Sequence, residues 1–222
     1  MSSNRSMVKL KQKEESGRVY GGESAAQRLA RQRRLFLDAG LELFGTSGYR
    51  ATSVRALCKQ AQLTDRYFYK NFQDTEDLLA AVYAESMDHI QTVVLKAIAD
   101  ASDTGQPSDV IEAGLVAFFS AIENSRVARV CWLEVLGVSP RIDELYTRRV
   151  QYFAELLLGI AKKLISRWPL SDEEARITGI AAVGAISQSA MHWLIEDYRT
   201  PKATLVSANG RLIRGLIEAL PR

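Results

Sequence analysis

The sequence predicts an all-α protein, a small N-terminal head of three helices joined to a larger helical body. Three observations carry that reading. Apolar residues recur every three to four positions along most of the 222 residues, and alternating runs are few. Five Pro and 14 Gly leave long Ala/Leu-rich periods. Charge is divided: residues 1–72 hold 14 Lys/Arg against 6 Asp/Glu, a net of +8, and residues 73–222 hold 15 against 20, a net of −5, which gives the +3 of the whole chain. A basic third on an acidic remainder points to a polyanion met at one end only. With 47% apolar and 25% charged residues, the chain is globular and can bury a core.

In chain order, residues 1–27 read as a flexible basic arm, 28–73 as the head and 74–222 as the body. The arm is polar and carries Arg5, Lys9, Lys11, Lys13 and Arg18. It is either a passive tail or a segment that lies along phosphates or enters a minor groove. Arg28, Arg31, Arg33 and Arg34 stand closer to the first helix, where basic residues oppose the helix dipole and so do not serve local stability. Phe36, Ala39, Gly40, Leu43 and Phe44 then fall at helical spacing, and Gly48 follows where a helix would end in a left-handed residue.

Thr52–Phe72 reads as two short helices with a tight connection. Val54, Leu57, Cys58 and Ala61 make one apolar stripe, Leu63 interrupts it, and Thr64 is placed to cap the second helix through its side-chain oxygen. Phe68 and Phe72, four apart, point inward together. Asp65, Arg66, Tyr67, Tyr69, Lys70 and Asn71 are left outward, a hydrogen-bonding and cationic face. A helix-turn-helix that reads DNA is one expectation; an ordinary helical hairpin with a solvated face is the other.

The run from Arg33 to Glu85, with its LELF, Gly48-Tyr49, Thr52-Ser53-Val54, Thr64 to Tyr69, Phe72 and Leu78-Leu79, resembles the N-terminal domain of the tetracycline-repressor (TetR) family of bacterial transcriptional regulators. The likeness covers roughly residues 30–85. It implies a dimeric DNA-binding regulator with nine helices, a pocket among the fourth to eighth of them and dimerisation through the last two. Three positions depart from the family pattern. Gln62 stands where Gly is usual, Arg66 where a small residue is usual, and Thr75 where a Lys often contacts phosphate. The DNA-facing residues expected are Arg34, Thr52, Thr64, Arg66, Tyr67, Tyr69 and Lys70, with Arg66, Tyr67 and Lys70 at base edges and Thr64 and Tyr69 at phosphates.

The body begins at Asp74, a cap for a fourth helix over about 75–101. A turn around Gly105 and Pro107 precedes a fifth helix through Ile122, which Asn124 and Ser125 break. Residues 126–138 read as a sixth helix, apolar almost all round and therefore central. Ser139-Pro140 opens a seventh, running to Arg167. Ser171 with Glu174 forms a capping box for an eighth that reaches about Tyr198, and Thr200-Pro201 opens a ninth that ends at Leu220. The small residues of the eighth helix, and the stripe of Leu205, Leu212, Ile213, Leu216, Ile217 and Leu220 on the ninth, predict a homodimer through residues 171–220.

No HxxxH pair, Cys/His/acid cluster, phosphate-binding Gly loop or nucleophile elbow occurs, so neither an enzyme nor a metal or cofactor site is expected. Cys58 and Cys131 read as buried thiols, and with no apolar run of membrane length a cytoplasmic protein is expected. Aromatic and adaptable residues in the body predict a pocket for a small, mainly apolar effector. Met87, Phe118, Trp132, Tyr152, Gln188 and His192 are its candidate lining residues. The function expected is a ligand-responsive repressor that binds an inverted-repeat operator as a dimer; an effector-independent architectural DNA binder is the alternative.

Overall fold

In the computed structural model, residues 24–102, 106–165 and 168–220 are described; the expected arm, the turn at Gly105 and the helix end at Arg167 fall wholly or largely outside them. The elements are α1 (Ala25–Thr46), α2 (Val54–Ala61), α3 (Asp65–Asn71), α4 (Thr75–Ser102), α5 (Pro107–Ala121), α6 (Ser125–Arg129), α7 (Pro140–Leu164), α8 (Asp172–Ile195) and α9 (Lys202–Glu218). No strand occurs among the described residues.

Local signals account for most boundaries. Ser24 and Gln27 form a capping box at the start of α1, so residues 25–27 and the arginines after them belong to a helix rather than to an arm. Gly48 takes φ +88° just past the end of α1. Ser53 caps α2 by accepting from Ala56 N–H. Asp74 accepts from Asp77 N–H at 2.7 Å and opens α4. Ser139 and Ser171 cap α7 and α8, the latter with the expected Glu174 box. Gln62 ends α2 in the left-handed region, φ 54° and ψ 38°, the conformation for which Gly is the usual residue.

Several expectations are corrected. Thr64 has the backbone of an N-cap, but its side chain makes no capping hydrogen bond. The sixth helix is not regular to residue 138: after Arg129 it widens into a π-helical turn, Val130–Glu134. The eighth helix stops at Ile195, because Asp197 and Tyr198 adopt positive φ. Thr200 does not cap the ninth; Pro201 stands at the N-cap, and the helix ends at Glu218.

The head is built around Phe36, which meets Phe68 and Phe72 edge-on at 5.3 and 6.4 Å between ring centroids. Leu57, Phe44, Leu78 and Leu79 close the same core and are fully buried. Buried side chains then continue without a break into the body, through Tyr83, Ile90, Phe119, Trp132 and Trp193. The change at 73/74 is therefore a change of packing partner rather than a gap. Within the body α4 lies along α5, α5 against α9, and α7 against α8. The head also rests on α6: a Cβ on Gly45 would sit 2.4 Å from Arg126 Cβ, so α1 comes this close to α6 only because Gly45 has no side chain. Arg126 Nε meets Glu42 at 2.9 Å beside that contact.

Candidate DNA interface and ligand cavity

The recognition element is α3, held by Phe68 and Phe72 and braced from α1. Arg33 donates to the carbonyl of Asn71 at 3.1 Å and lies 4.4 Å over the Phe72 ring. Of the seven DNA-facing candidates, Thr64, Arg66, Tyr69 and Lys70 are exposed together on one side of the turn and helix, Tyr69 at 62%. Lys70 Nζ stands 5.7 Å from the Tyr67 ring.

The other three are placed differently. Tyr67 is partly buried and packs on the core, because the short helix needs more than two residues to seat it. Thr52 spends its hydroxyl proton on the Gly48 carbonyl, 2.8 Å away, and its N–H on the Tyr49 carbonyl, so neither donor is left for phosphate. Arg34 is held between Asp38 and Glu85 and ties α1 to α4. Arg50, before α2, and Arg55 and Lys59, on it, are also exposed and were not among the expected residues.

Inside the body is a cavity of about 210 Å³, lined from α4, α5, the π-helical turn, α7, α8 and α9. Met87, Phe118 and Trp132 line it, as expected from sequence. Tyr152, Gln188 and His192 do not. Tyr152 points outward and its hydroxyl accepts from Gln91 Nε2 at 2.9 Å. Gln188 and His192, one turn apart, share the exposed face of α8, where His192 pairs with Glu196 at 3.1 Å. Nearly every face of α8 carries small or apolar residues, so periodicity could not tell its inner side from its outer one.

Arg149, not among the residues expected from sequence, is the one charged residue lining the cavity among the described residues. It falls on the inward stripe of α7 with Tyr146, Phe153 and Leu157, and a cation on an apolar stripe was the available signal. Cys131, also in the wall, is almost fully buried, and burial pushes its thiol far up against the opposing influence of Arg149. Tyr83 is likewise pushed far up by burial. Leu216 lines the cavity too, whereas Leu212 is 42% exposed, so the apolar stripe expected on α9 divides between two jobs.

Residues 36–82, the span from Phe36 through the turn to the first part of α4, match the family model of bacterial regulatory proteins, tetR family. The head carries the TetR-family signature, which stops at Val82. The chain is accordingly a DNA-binding transcriptional regulator, and the family match lies in its head. It is 20% identical over 186 residues to the fatty acid metabolism regulator protein of Bacillus subtilis (strain 168), covering 83% of this chain and 93% of the relative. Its fold is similar to that of the fatty acid degradation regulator FadR from Bacillus halodurans, with a TM-score of 0.69, 18% identity, and coverage of 86% of this chain and 97% of that one. It is also similar to FadR from Bacillus subtilis in complex with stearoyl-CoA, with a TM-score of 0.66, 18% identity, and coverage of 81% and 96%. Among the described residues no group of His, Cys, Asp and Glu is arranged to hold a metal, and no helix is long and apolar enough to cross a membrane.

Proposed function

We propose that this regulator binds an inverted-repeat operator as a dimer, represses by occupancy, and is released by an amphiphile with a long acyl chain. The observation that carries the ligand class is the long, almost wholly apolar lining of the cavity. Its lining residues run from Tyr83 to Ile98 on α4 and from Tyr146 to Ala161 on α7. Fifteen residues of helix at 1.5 Å each give these two walls a length of about 22 Å. An extended hydrocarbon advances about 1.25 Å per carbon for a 1.52 Å bond and a 111° angle, so about 16–18 carbons match that length. The stearoyl-CoA held by the Bacillus subtilis protein of similar fold supports the same class.

On the DNA side, Arg66 and Lys70 are the candidates for base edges, with Tyr69 and Thr64 on phosphates. Ile177, Ile195 at 59% exposure and Leu212 leave apolar surface on α8 and α9, which favours an isologous contact there. Coupling has a short route. Trp132 and Cys131 touch the cavity, and Glu134, on the same π-helical turn, bonds to the head. A ligand weakens DNA binding only as far as it prefers the released arrangement, typically by about 1–3 kcal/mol.

The test is fluorescence anisotropy on an operator recovered by selecting bound genomic fragments. Palmitoyl-CoA and stearoyl-CoA should each raise the melting temperature and release the operator, and acetyl-CoA should do neither. If no long-chain compound does either, the effector-independent reading replaces this one.

A further inference from the structure

We propose that Arg149 is the head-group residue of the cavity and that it selects a long-chain carboxylate, the free acid rather than an ester. The inference rests on the acyl-ligand reading above.

Arg149 projects into a wall that is otherwise almost wholly apolar, with its side chain only 17% exposed. Its guanidinium makes one hydrogen bond, Nη1 to Asp88 Oδ1 at 2.8 Å, and no other acceptor among the described residues takes one from it. Asp88 is 64% exposed and so is largely occupied with solvent. A desolvated cation with one weakly committed partner leaves an edge of its fork for an anion, and a planar carboxylate matches that edge with two parallel bonds. Burying such a charge without a second partner is costly, which is why a ligand that supplies one binds well.

Position supports the assignment. Arg149 lies one turn beyond Tyr146, and its partner Asp88, outside the lining, follows Met87 on α4, so the guanidinium stands in the half of the cavity nearer the head. Arg149 is near enough to Cys131 and Tyr83 for its charge to oppose the effect of burial on both. A carboxylate there would sit beside the π-helical turn, with the chain running away along α4 and α7 toward Ile98 and Ala161. An ester places a neutral carbonyl at the same point and fills only one of the two positions.

The experiment compares palmitate, hexadecanol and palmitoyl-CoA by calorimetric titration into the full-length protein. Palmitate should bind about tenfold or more tighter than hexadecanol, the advantage expected for charge-assisted bonds. Arg149→Met should bring the two within about twofold, by weakening palmitate far more than hexadecanol, and should cost palmitoyl-CoA less than palmitate. Hexadecanol binding doubles as the control for an intact cavity. Arg149→Lys, which keeps the charge but loses the fork, should fall between. Asp88→Asn should strengthen palmitate by freeing its competitor's share of the guanidinium. Equal affinity of the native protein for palmitate and hexadecanol would overturn the head-group assignment and leave the acyl reading standing. Equal losses for both probes in Arg149→Met would give Arg149 a merely structural role. If palmitate, hexadecanol and palmitoyl-CoA all fail to bind the native protein, the acyl reading falls as well.

Discussion

The Glu134 carboxylate accepts the main-chain N–H of Tyr49 at 2.6 Å through one oxygen and Arg129 Nε at 2.8 Å through the other. It belongs to the body and Tyr49 to the head, and the Glu134 side chain is only 11% exposed. The bond is made possible by Gly48, whose left-handed turn carries the chain close past that carboxylate. Head and body thus meet at α4, at Gly45 on α6, and at this hydrogen bond.

Replacing Glu134 removes the shared acceptor and leaves a part-buried N–H and a guanidinium without it. Glu134→Leu should lower stability by about 1–3 kcal/mol in a denaturant titration. It should also reduce the release of operator by palmitoyl-CoA without weakening binding of palmitoyl-CoA itself. An unchanged ratio of operator affinities with and without ligand would remove the π-helical turn from the coupling route.

Gln62 holds a conformation that costs a side-chain-bearing residue about 1–2 kcal/mol relative to right-handed backbone. Glycine adopts it freely but loses more entropy on folding, so Gln62→Gly should raise stability by about 0.5–1 kcal/mol. Chemical denaturation reads this directly. A lower midpoint at constant slope would mean that Gln62 makes a compensating contact.

Arg66→Ala should weaken operator binding by about 1–3 kcal/mol and relax base preference, because a side chain at a base edge carries sequence information. Tyr69→Phe should weaken operator and scrambled DNA alike, since phosphates are the same everywhere. Titrations on both duplexes separate the two behaviours, and equal losses for Arg66→Ala would move that residue to the backbone.

Leu212 and Leu216 are expected to fail in different ways. Leu212→Glu places a charge on exposed surface of α9 and should give monomers by sedimentation, with native helicity and much weaker operator binding. Leu216→Glu places a charge in the cavity wall and should abolish binding of palmitoyl-CoA. A dimer at micromolar concentration for Leu212→Glu would shift the interface elsewhere.

What the sequence determined by itself was local. Helix starts at Asp74, Ser139 and Ser171, the left-handed turn at Gly48 and the inward pair Phe68 and Phe72 follow from interactions spanning four or five residues. Each leaves its mark within one turn of helix. The head was legible for the same reason, because two short helices and the second half of α1 close over a few aromatic rings. Only the tertiary structure decided which residues those helices withhold: Thr52 bonds to Gly48, Arg34 is taken by Glu85, and Tyr67 turns to the core. The cavity was least legible. Its wall is assembled from α4, α5, the π-helical turn, α7, α8 and α9, and its charged member, Arg149, is significant only because the neighbours brought around it are apolar. No periodicity within one helix encodes that, since the desolvation of a guanidinium depends on side chains supplied by other elements.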